Sequence, residues 1–134
     1  MLAGFKLMAF LATTDAARAR AFYEGGLGLS FVSEDDFAVV YDAHGIEFRL
    51  QKVRGLKPQP HTALGWSVDG IDKIVRDIAA RGGKFERFPQ LGQDAAGIWT
   101  SPSGARIAWL RDPDGNLLSL TEKPAAQVAG AIAT

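Results

Sequence analysis

The size, composition and charge of this sequence limit the functions open to it. It has 134 residues, 47% hydrophobic and 22% charged, and its 15 Lys and Arg balance its 15 Asp and Glu. This composition suits one folded domain or two small modules sharing a core, and the zero net charge argues against a nucleic-acid binder or a basic membrane surface. The lack of cysteine excludes disulfides, thiolate metal sites and cysteine nucleophiles. Two histidines, His44 and His61, are too few for a His-rich metal centre.

The first half of the chain predicts the order β-α-β-β-β. Thr14 or Asp15 is the expected N-cap of the helix, and Gly25-Gly26 the expected left-handed end. His44-Gly45 is a turn signal before the last strand of this half. The strands are predicted at residues 6–13, 29–33, 37–41 and 46–52.

The second half predicts the same order again. Asp69 is the expected cap of a helix whose apolar residues recur at i, i+3, i+4 and i+7 from Ile71, and Gly82-Gly83 ends it. An extra hairpin is predicted at 97–101, turning at residues 102–104. The remaining strands are predicted at residues 62–68, 84–88, 106–111 and 117–122.

The two halves align residue by residue, which is a stronger fold signal than any one motif. Residues 41–45 match 111–115, and residues 8–15 match 63–70. The predicted fold class is α+β, with two βαβββ modules forming a curved mixed sheet around a cleft. Alternation along the strands places Leu118 and Leu120 under the helices and leaves the other faces to line the cleft.

These patterns resemble a known family. Thr14-Asp15 with Phe22-Tyr23, Trp66-Ser67-Val68-Asp69 before a helix, and Asp112-Pro113-Asp114-Gly115-Asn116 before the last strand resemble the vicinal oxygen chelate superfamily, which includes glyoxalase I, bleomycin-resistance proteins and extradiol dioxygenases. The resemblance covers residues 5–123. It implies one domain over 1–123, with module 1 at about 5–53, a linker at 54–61, module 2 at about 62–123 and a flexible C-terminal tail at 124–134.

The resemblance also locates the four positions at which metal-using members carry His, Gln or Glu. Here they are Met8, Arg49, Ala63 and Ser119. None is a good ligand, and a cationic arginine repels a metal ion, so the sequence predicts no metal and no cofactor. A shifted site using His61 and Glu47 is the alternative, although two ligands hold an ion weakly.

Arg49 is the strongest candidate for ligand binding. An arginine on the cleft face either forms a structural salt bridge, with Glu47 or with a carboxylate across the cleft, or binds a carboxylate, phosphate or enolate oxygen of a ligand. Aromatic side chains that suit a flat ligand are expected on the same face at Tyr41 and Trp109, with Phe37 and Val39 beside them, while Trp66 is expected in the core. The predicted ligand-binding residues are Met8, Phe10, Tyr41, Glu47, Arg49, Gln51, His61, Trp99, Trp109 and Ser119.

Three functions remain open from the sequence. The first is a metal-free binder of a small anionic or aromatic molecule. The second is a metal-independent isomerase or lyase in which Arg49 acts with Glu47 or Tyr41, His61 being a further candidate base. The third is a metal-dependent enzyme of the glyoxalase or dioxygenase type. The resemblance implies a homodimer, and without a convincing export signal the expected location is the cytoplasm; no nucleic-acid or membrane partner is expected.

Overall fold

The computed structural model describes residues 1–125. After a short 3₁₀ turn at Leu2–Gly4, these residues form two helices and eight strands. The predicted tail at 124–134 therefore lies almost wholly outside the described residues. The helices are α1 (Ala16–Arg20, continued by the π-helical turn Ala21–Gly26) and α2 (Ile71–Ala80), and the strands are β1 (Met8–Thr13), β2 (Ser30–Glu34), β3 (Ala38–Ala43), β4 (Ile46–Lys52), β5 (Thr62–Ser67), β6 (Trp99–Thr100), β7 (Arg106–Arg111) and β8 (Leu117–Glu122).

The strands build two mixed sheets with the same topology. Sheet 1 has the order β1-β4-β3-β2 and sheet 2 the order β5-β8-β7-β6. In each sheet the first and last strands of the module pair in parallel, and the other pairs are antiparallel. This arrangement confirms the predicted α+β class with two βαβββ modules. None of the helices in the described part of the chain is long and apolar enough to cross a membrane.

Each helix covers one face of its sheet. In module 2, Ile71, Val75 and Ile78 of α2 are buried in one cluster with Leu118 and Leu120 of β8. Fully burying an isoleucine of this kind contributes about 1.5–3 kcal/mol, so the predicted apolar stripe holds α2 on the sheet. In module 1 the Tyr23 ring lies 6.1 Å from that of Tyr41 and 5.4 Å from that of Phe48, centroid to centroid. We call the opposite side of each sheet its helix-free face.

The helix ends differ in part from the prediction. Asp15 is the N-cap of α1, as predicted, and its carboxylate accepts from the Arg18 amide at 3.1 Å. Asp69 is not the cap of α2: the cap is Gly70, which is left-handed and donates its amide to Glu122 at 2.7 Å. The glycine with a left-handed backbone after α1 is Gly28 and not Gly25 or Gly26. Gly25 and Gly26 are still helical, because the π-helical turn ends only at Gly26.

The predicted strand at 84–88 is wrong. Only Phe85 forms a bridge, to Leu110, although the Glu86 amide also donates to the Trp109 carbonyl at 2.8 Å. The Gln93 side chain explains why no strand forms, because it accepts from the Phe88 amide and donates to two carbonyls of the same loop. These bonds take up backbone groups that a strand would pair with a neighbour.

The turn Asp112–Asn116 joins the two modules. Asp112 accepts from the backbone amides of Asp114 and Asn116 within the turn and from the Tyr23 hydroxyl of module 1 at 2.6 Å. Asp114 accepts from the hydroxyls of Thr13 and Thr14, each at 2.5 Å. We call the contact of Asp114 with these two threonines the inter-module latch.

Candidate functional site

The helix-free face of sheet 1 carries Arg49 at its centre. In the strand register Phe10 and Val40 lie directly opposite Arg49 on either side, and directly opposite residues share one face of a sheet. In the next row Met8 lies beside Glu47. Phe10 remains 50% exposed and Met8 45% exposed, so this face presents a charged group within an accessible apolar surface.

Arg49 and Glu47 form an ion pair on this face, as one of the two sequence-based interpretations expects. Nη1 of Arg49 lies 3.1 Å from Oε2 of Glu47, and the two side chains are 29% and 43% exposed. A pair this exposed contributes only about 0–1 kcal/mol. A guanidinium has five N–H donors, so Arg49 retains donors for a second acidic group while bonded to Glu47. Gln51, two residues further on, lies exposed on the same face.

The helix-free face of sheet 2 has Ser119 between Gly65 and Trp109. The register aligns Gly65 with Ser119 in β8 and Ser119 with Trp109 in β7. A Cβ at position 65 would meet Oγ of Ser119 at 2.5 Å. The glycine therefore provides the space that the Ser119 hydroxyl occupies, and Ser119 itself is almost buried.

Three aromatic rings group on the same face of sheet 2, and we call them the aromatic cluster: Phe88, Trp99 and Trp109. The Trp109 ring lies 6.2 Å from that of Trp99 and 5.3 Å from that of Phe88, the latter edge to face. Trp99 and Trp109 are half-buried, so part of each ring remains accessible. Phe88 is absent from the predicted site residues because the sequence pattern indicated a strand at this position, whereas Phe88 lies in the loop that Gln93 holds.

Tyr41 and Val39 do not lie on the helix-free face, and this part of the prediction is wrong. Tyr41 pairs directly with Phe48 and is fully buried beneath α1. Its hydroxyl donates to Glu24 at 2.9 Å. Burial, and then the bond to Glu24, raise the pKa of Tyr41 well above its usual value, so this hydroxyl is poorly suited to act as a base.

Of the other residues considered in the sequence, two are exposed to solvent and one packs against the core. His61 is exposed at the end of the linker, and Phe37 is exposed before β3. Trp66 packs against the core, as predicted. Val40 lies opposite Arg49 and Asp42 lies opposite Glu47. Neither was among the predicted site residues, although the turn at His44-Gly45 sets which residues pair across this hairpin.

Comparison with known proteins assigns the family. The model of the Glyoxalase/Bleomycin resistance protein/Dioxygenase superfamily matches residues 6–120. The chain belongs to this superfamily. No curated protein sequence matches it.

Solved structures of superfamily members share the fold at low sequence identity. A glyoxalase/bleomycin resistance protein/dioxygenase from Alicyclobacillus acidocaldarius is 18% identical with a TM-score of 0.69, over 92% of this chain and 94% of that one. A lactoylglutathione lyase from Agrobacterium tumefaciens is 20% identical with a TM-score of 0.67, over 87% and 92%. A bleomycin-binding protein solved with bleomycin is 22% identical with a TM-score of 0.70, over 90% and 99%.

The residues at the superfamily's metal-ligand positions do not fit a metal ion. Met8, Arg49, Ala63 and Ser119 offer a thioether, a guanidinium, a methyl group and a hydroxyl, and Arg49 has no lone pair to donate. Within residues 1–125, no three His, Asp or Glu side chains are grouped so that they could hold an ion. The shifted site would have only His61 and Glu47 as ligands, and the Glu47 carboxylate also pairs with Arg49.

Proposed function

We propose that this chain binds a small anionic or aromatic molecule in a metal-free cleft lined by the helix-free faces. The observation that carries the proposal is Arg49, which lies between Phe10 and Val40 on the helix-free face and whose ion pair with Glu47 is partly exposed. Such a surface suits a ligand with one acidic group and an apolar or aromatic body.

The aromatic cluster supports the second half of that description. Aromatic pairs contribute about 0.5–1.5 kcal/mol beyond the area they bury, and Trp99 and Trp109 are partly accessible in the unliganded protein. A relative of the same fold binds bleomycin, as its structure with that compound records. This fold can therefore bind a small molecule without catalysing a reaction, and such binding does not need metal-binding side chains at the superfamily's ligand positions.

The test uses a matched pair of probes, 2-naphthoate and 2-naphthamide, titrated into the protein by isothermal titration calorimetry. The two share their aromatic body and differ in charge. We expect 2-naphthoate to bind at least about tenfold more tightly, since charge-assisted bonds are worth about 1.5–3 kcal/mol. Arg49→Gln should remove this preference, and Arg76→Gln, an exposed arginine on α2, should leave it intact. Equal binding of the two probes, or an unchanged preference in Arg49→Gln, contradicts the proposal.

A metal-independent isomerase or lyase is the second candidate, and the contact between Glu47 and Arg49 favours it. A carboxylate that accepts a proton beside a guanidinium that stabilises an enolate oxygen is a workable acid–base arrangement. Tyr41 is no longer a suitable partner, because it lies under α1. Turnover that survives exhaustive chelation and is abolished in Glu47→Gln supports this candidate, and stoichiometric binding without turnover supports the binder.

A metal-dependent enzyme is the third candidate, and the donor set argues against it. The test offers Ni, Co, Zn, Mn and Fe(II) in turn and counts the ions bound per chain by mass spectrometry. Near-zero occupancy is the expected result. One tightly held ion per chain that is lost in His61→Ala or Glu47→Gln would replace the binding proposal with a metal-dependent one.

We further propose that one domain spans residues 1–123, that it works as a homodimer and that it acts in the cytoplasm.

The support for the homodimer is apolar surface at the N-terminal end, where the side chains of Leu2, Phe5 and Leu7 are 81%, 76% and 74% exposed. Clustered large apolar side chains of this kind mark association surfaces. Light scattering should give twice the chain mass, and Phe5→Lys with Leu7→Lys should reduce it to the chain mass; a monomeric wild type contradicts the pairing.

A further inference from the structure

A cavity lies on the helix side of the molecule, between the two modules and away from the helix-free faces. It has a volume of about 700 Å³ and is walled by the end of the π-helical turn on one side and by the end of α2 on the other. This volume is within the range of small-molecule sites, about 300–1,000 Å³. Neither the superfamily's ligand positions nor the function proposed above uses these residues.

The cavity has an apolar floor and a basic rim. Phe22, Leu27, Ile78 and Leu110 form the floor, two from each module. Arg81 and Lys84 stand at the rim, and no carboxylate of residues 1–125 lies within 4 Å of either cation. Arg81 makes a long hydrogen bond, from Nη1 to the Gly25 carbonyl at 3.5 Å.

The acidic residues that line the cavity are already engaged. Glu86 pairs with Arg111 at 3.1 Å. Asp112 accepts from Tyr23, from Asn116 and from two backbone amides of its own turn. Asp77, one turn before Arg81, pairs with Lys73 at 2.8 Å. The cations that remain for an entering group are therefore Arg81 and Lys84.

Two glycines keep one wall of the cavity without side chains. Gly25 and Gly26 lie in the helical turn, where glycine costs about 1 kcal/mol relative to alanine. Neither has a positive φ, and a Cβ at either position would meet no heavy atom within 4 Å. Neither the backbone conformation nor the packing therefore requires glycine at these two positions. A requirement to leave the cavity wall free of side chains, so that a ligand can enter, would explain both glycines.

We propose that this cavity binds a small monoanion with an apolar body, such as an aliphatic carboxylate, whose acidic group pairs with Arg81 and Lys84 while its chain lies on the floor. The guanidinium of Arg81 provides a two-pronged contact for a carboxylate, and Lys84 adds a point charge. An occupant would touch both modules and stabilise their association in addition to the inter-module latch.

The experiment is an NMR titration with sodium octanoate, with octanamide as the neutral matched probe. We expect octanoate to shift the amide resonances of Gly25, Gly26, Gly82 and Gly83, and octanamide to shift them at least about tenfold less at the same concentration. The double substitution Arg81→Gln, Lys84→Gln should remove the octanoate shifts. Arg54→Gln with Lys57→Gln, which removes two exposed charges from the linker, should preserve them.

The same titration separates this site from the Arg49 site. Arg49→Gln should leave the glycine shifts unchanged, whereas shifts confined to β1 and β4 would show that octanoate binds the helix-free face alone. Equal responses to octanoate and octanamide, or shifts that persist in the Arg81→Gln, Lys84→Gln protein, overturn the proposed anion site.

Discussion

At the scale of single residues, the contact between Arg49 and Glu47 determines how strongly the candidate site attracts an anion. Glu47 neutralises part of the guanidinium charge, and an entering carboxylate competes with it for the same donors. Because the pair is substantially exposed, the competition involves only about 0–1 kcal/mol. Glu47 therefore moderates binding at Arg49 without preventing it.

Removing the Glu47 charge should strengthen anion binding. In Glu47→Gln we expect the affinity for 2-naphthoate to rise by about 2–5-fold, which corresponds to an exposed ion pair of about 0.4–1 kcal/mol. Calorimetry at low and high salt measures the change, and the gain should shrink at high salt because exposed charges are screened. Asp42→Asn, in the same row but unpaired with Arg49, is the control. Weaker binding in Glu47→Gln would mean that Glu47 holds Arg49 in its binding position.

Tyr41 should matter for stability and not for binding. Tyr41→Phe removes the donor to Glu24, which keeps its bonds to Arg20, so we expect the free energy of unfolding to fall by about 1–2 kcal/mol. The affinity for 2-naphthoate should remain within about twofold, because the ring lies under α1. Urea unfolding and calorimetry measure the two effects. If Tyr41→Phe lost affinity for 2-naphthoate while its free energy of unfolding stayed unchanged, Tyr41 would be part of the binding site.

The candidate site was partly predictable from the sequence. The resemblance to the superfamily implied Met8, seven residues before Asp15, and Ser119, four residues after Gly115, and it implied Arg49 as the repeat partner of Ser119. Tyr41 was assigned to the wrong face because both faces of its strand are apolar, so alternation alone does not choose between them. The direct pairing of Tyr41 with Phe48 makes the choice, and that pairing depends on the register of the hairpin.

At the scale of elements, prediction succeeded where one local pattern determines the structure. The bounds of β4, β7 and β8 agree with the sequence-based prediction, because clear turn residues lie before each strand. The prediction of a strand at 84–88 failed because a side chain of the same loop binds the backbone there: Gln93 bonds to backbone groups of residues 86, 88 and 97. Side-chain bonds of this type leave no periodic trace in a sequence.

The glycines at the two helix ends should respond oppositely to alanine. A Cβ at Gly83 would overlap Cγ2 of Ile78 and approach its carbonyl oxygen at 3.0 Å, so Gly83→Ala should reduce the free energy of unfolding by about 1–3 kcal/mol. Gly25 has open space around it, and Gly25→Ala should increase stability by about 0.5–1 kcal/mol through helix propensity. Denaturant unfolding of both variants tests the pair, and a destabilised Gly25→Ala would contradict the account of that wall.

At the scale of the whole molecule, several polar contacts among residues 1–125 connect the modules, and the inter-module latch is one of them. Partial burial raises the pKa of Asp114, but the hydrogen bonds from Thr13 and Thr14 outweigh burial and set the pKa below its usual value. The ionised carboxylate is therefore the form that holds the modules together. A hydrogen bond to a charged group contributes about 1.5–3 kcal/mol, which is a substantial part of the stability of a domain this small.

The latch should consequently weaken in acid. A carboxyl group whose pKa is lower in the folded than in the unfolded state stabilises the fold above the unfolded value, near 3.8 for Asp114, and that contribution disappears as the pH falls through the lower, folded value. We expect Asp114→Asn to reduce the free energy of unfolding by about 2 kcal/mol at pH 7, and the difference from wild type should shrink as the pH is lowered from 7 to below the unfolded value near 3.8. Urea unfolding across this range measures it. The control is Asp77→Asn, which breaks only the exposed pair with Lys73 and should differ little from wild type in stability at every pH. If the difference for Asp114→Asn did not change with pH, the packing of the Asp114 side chain and not its charge would hold the modules together.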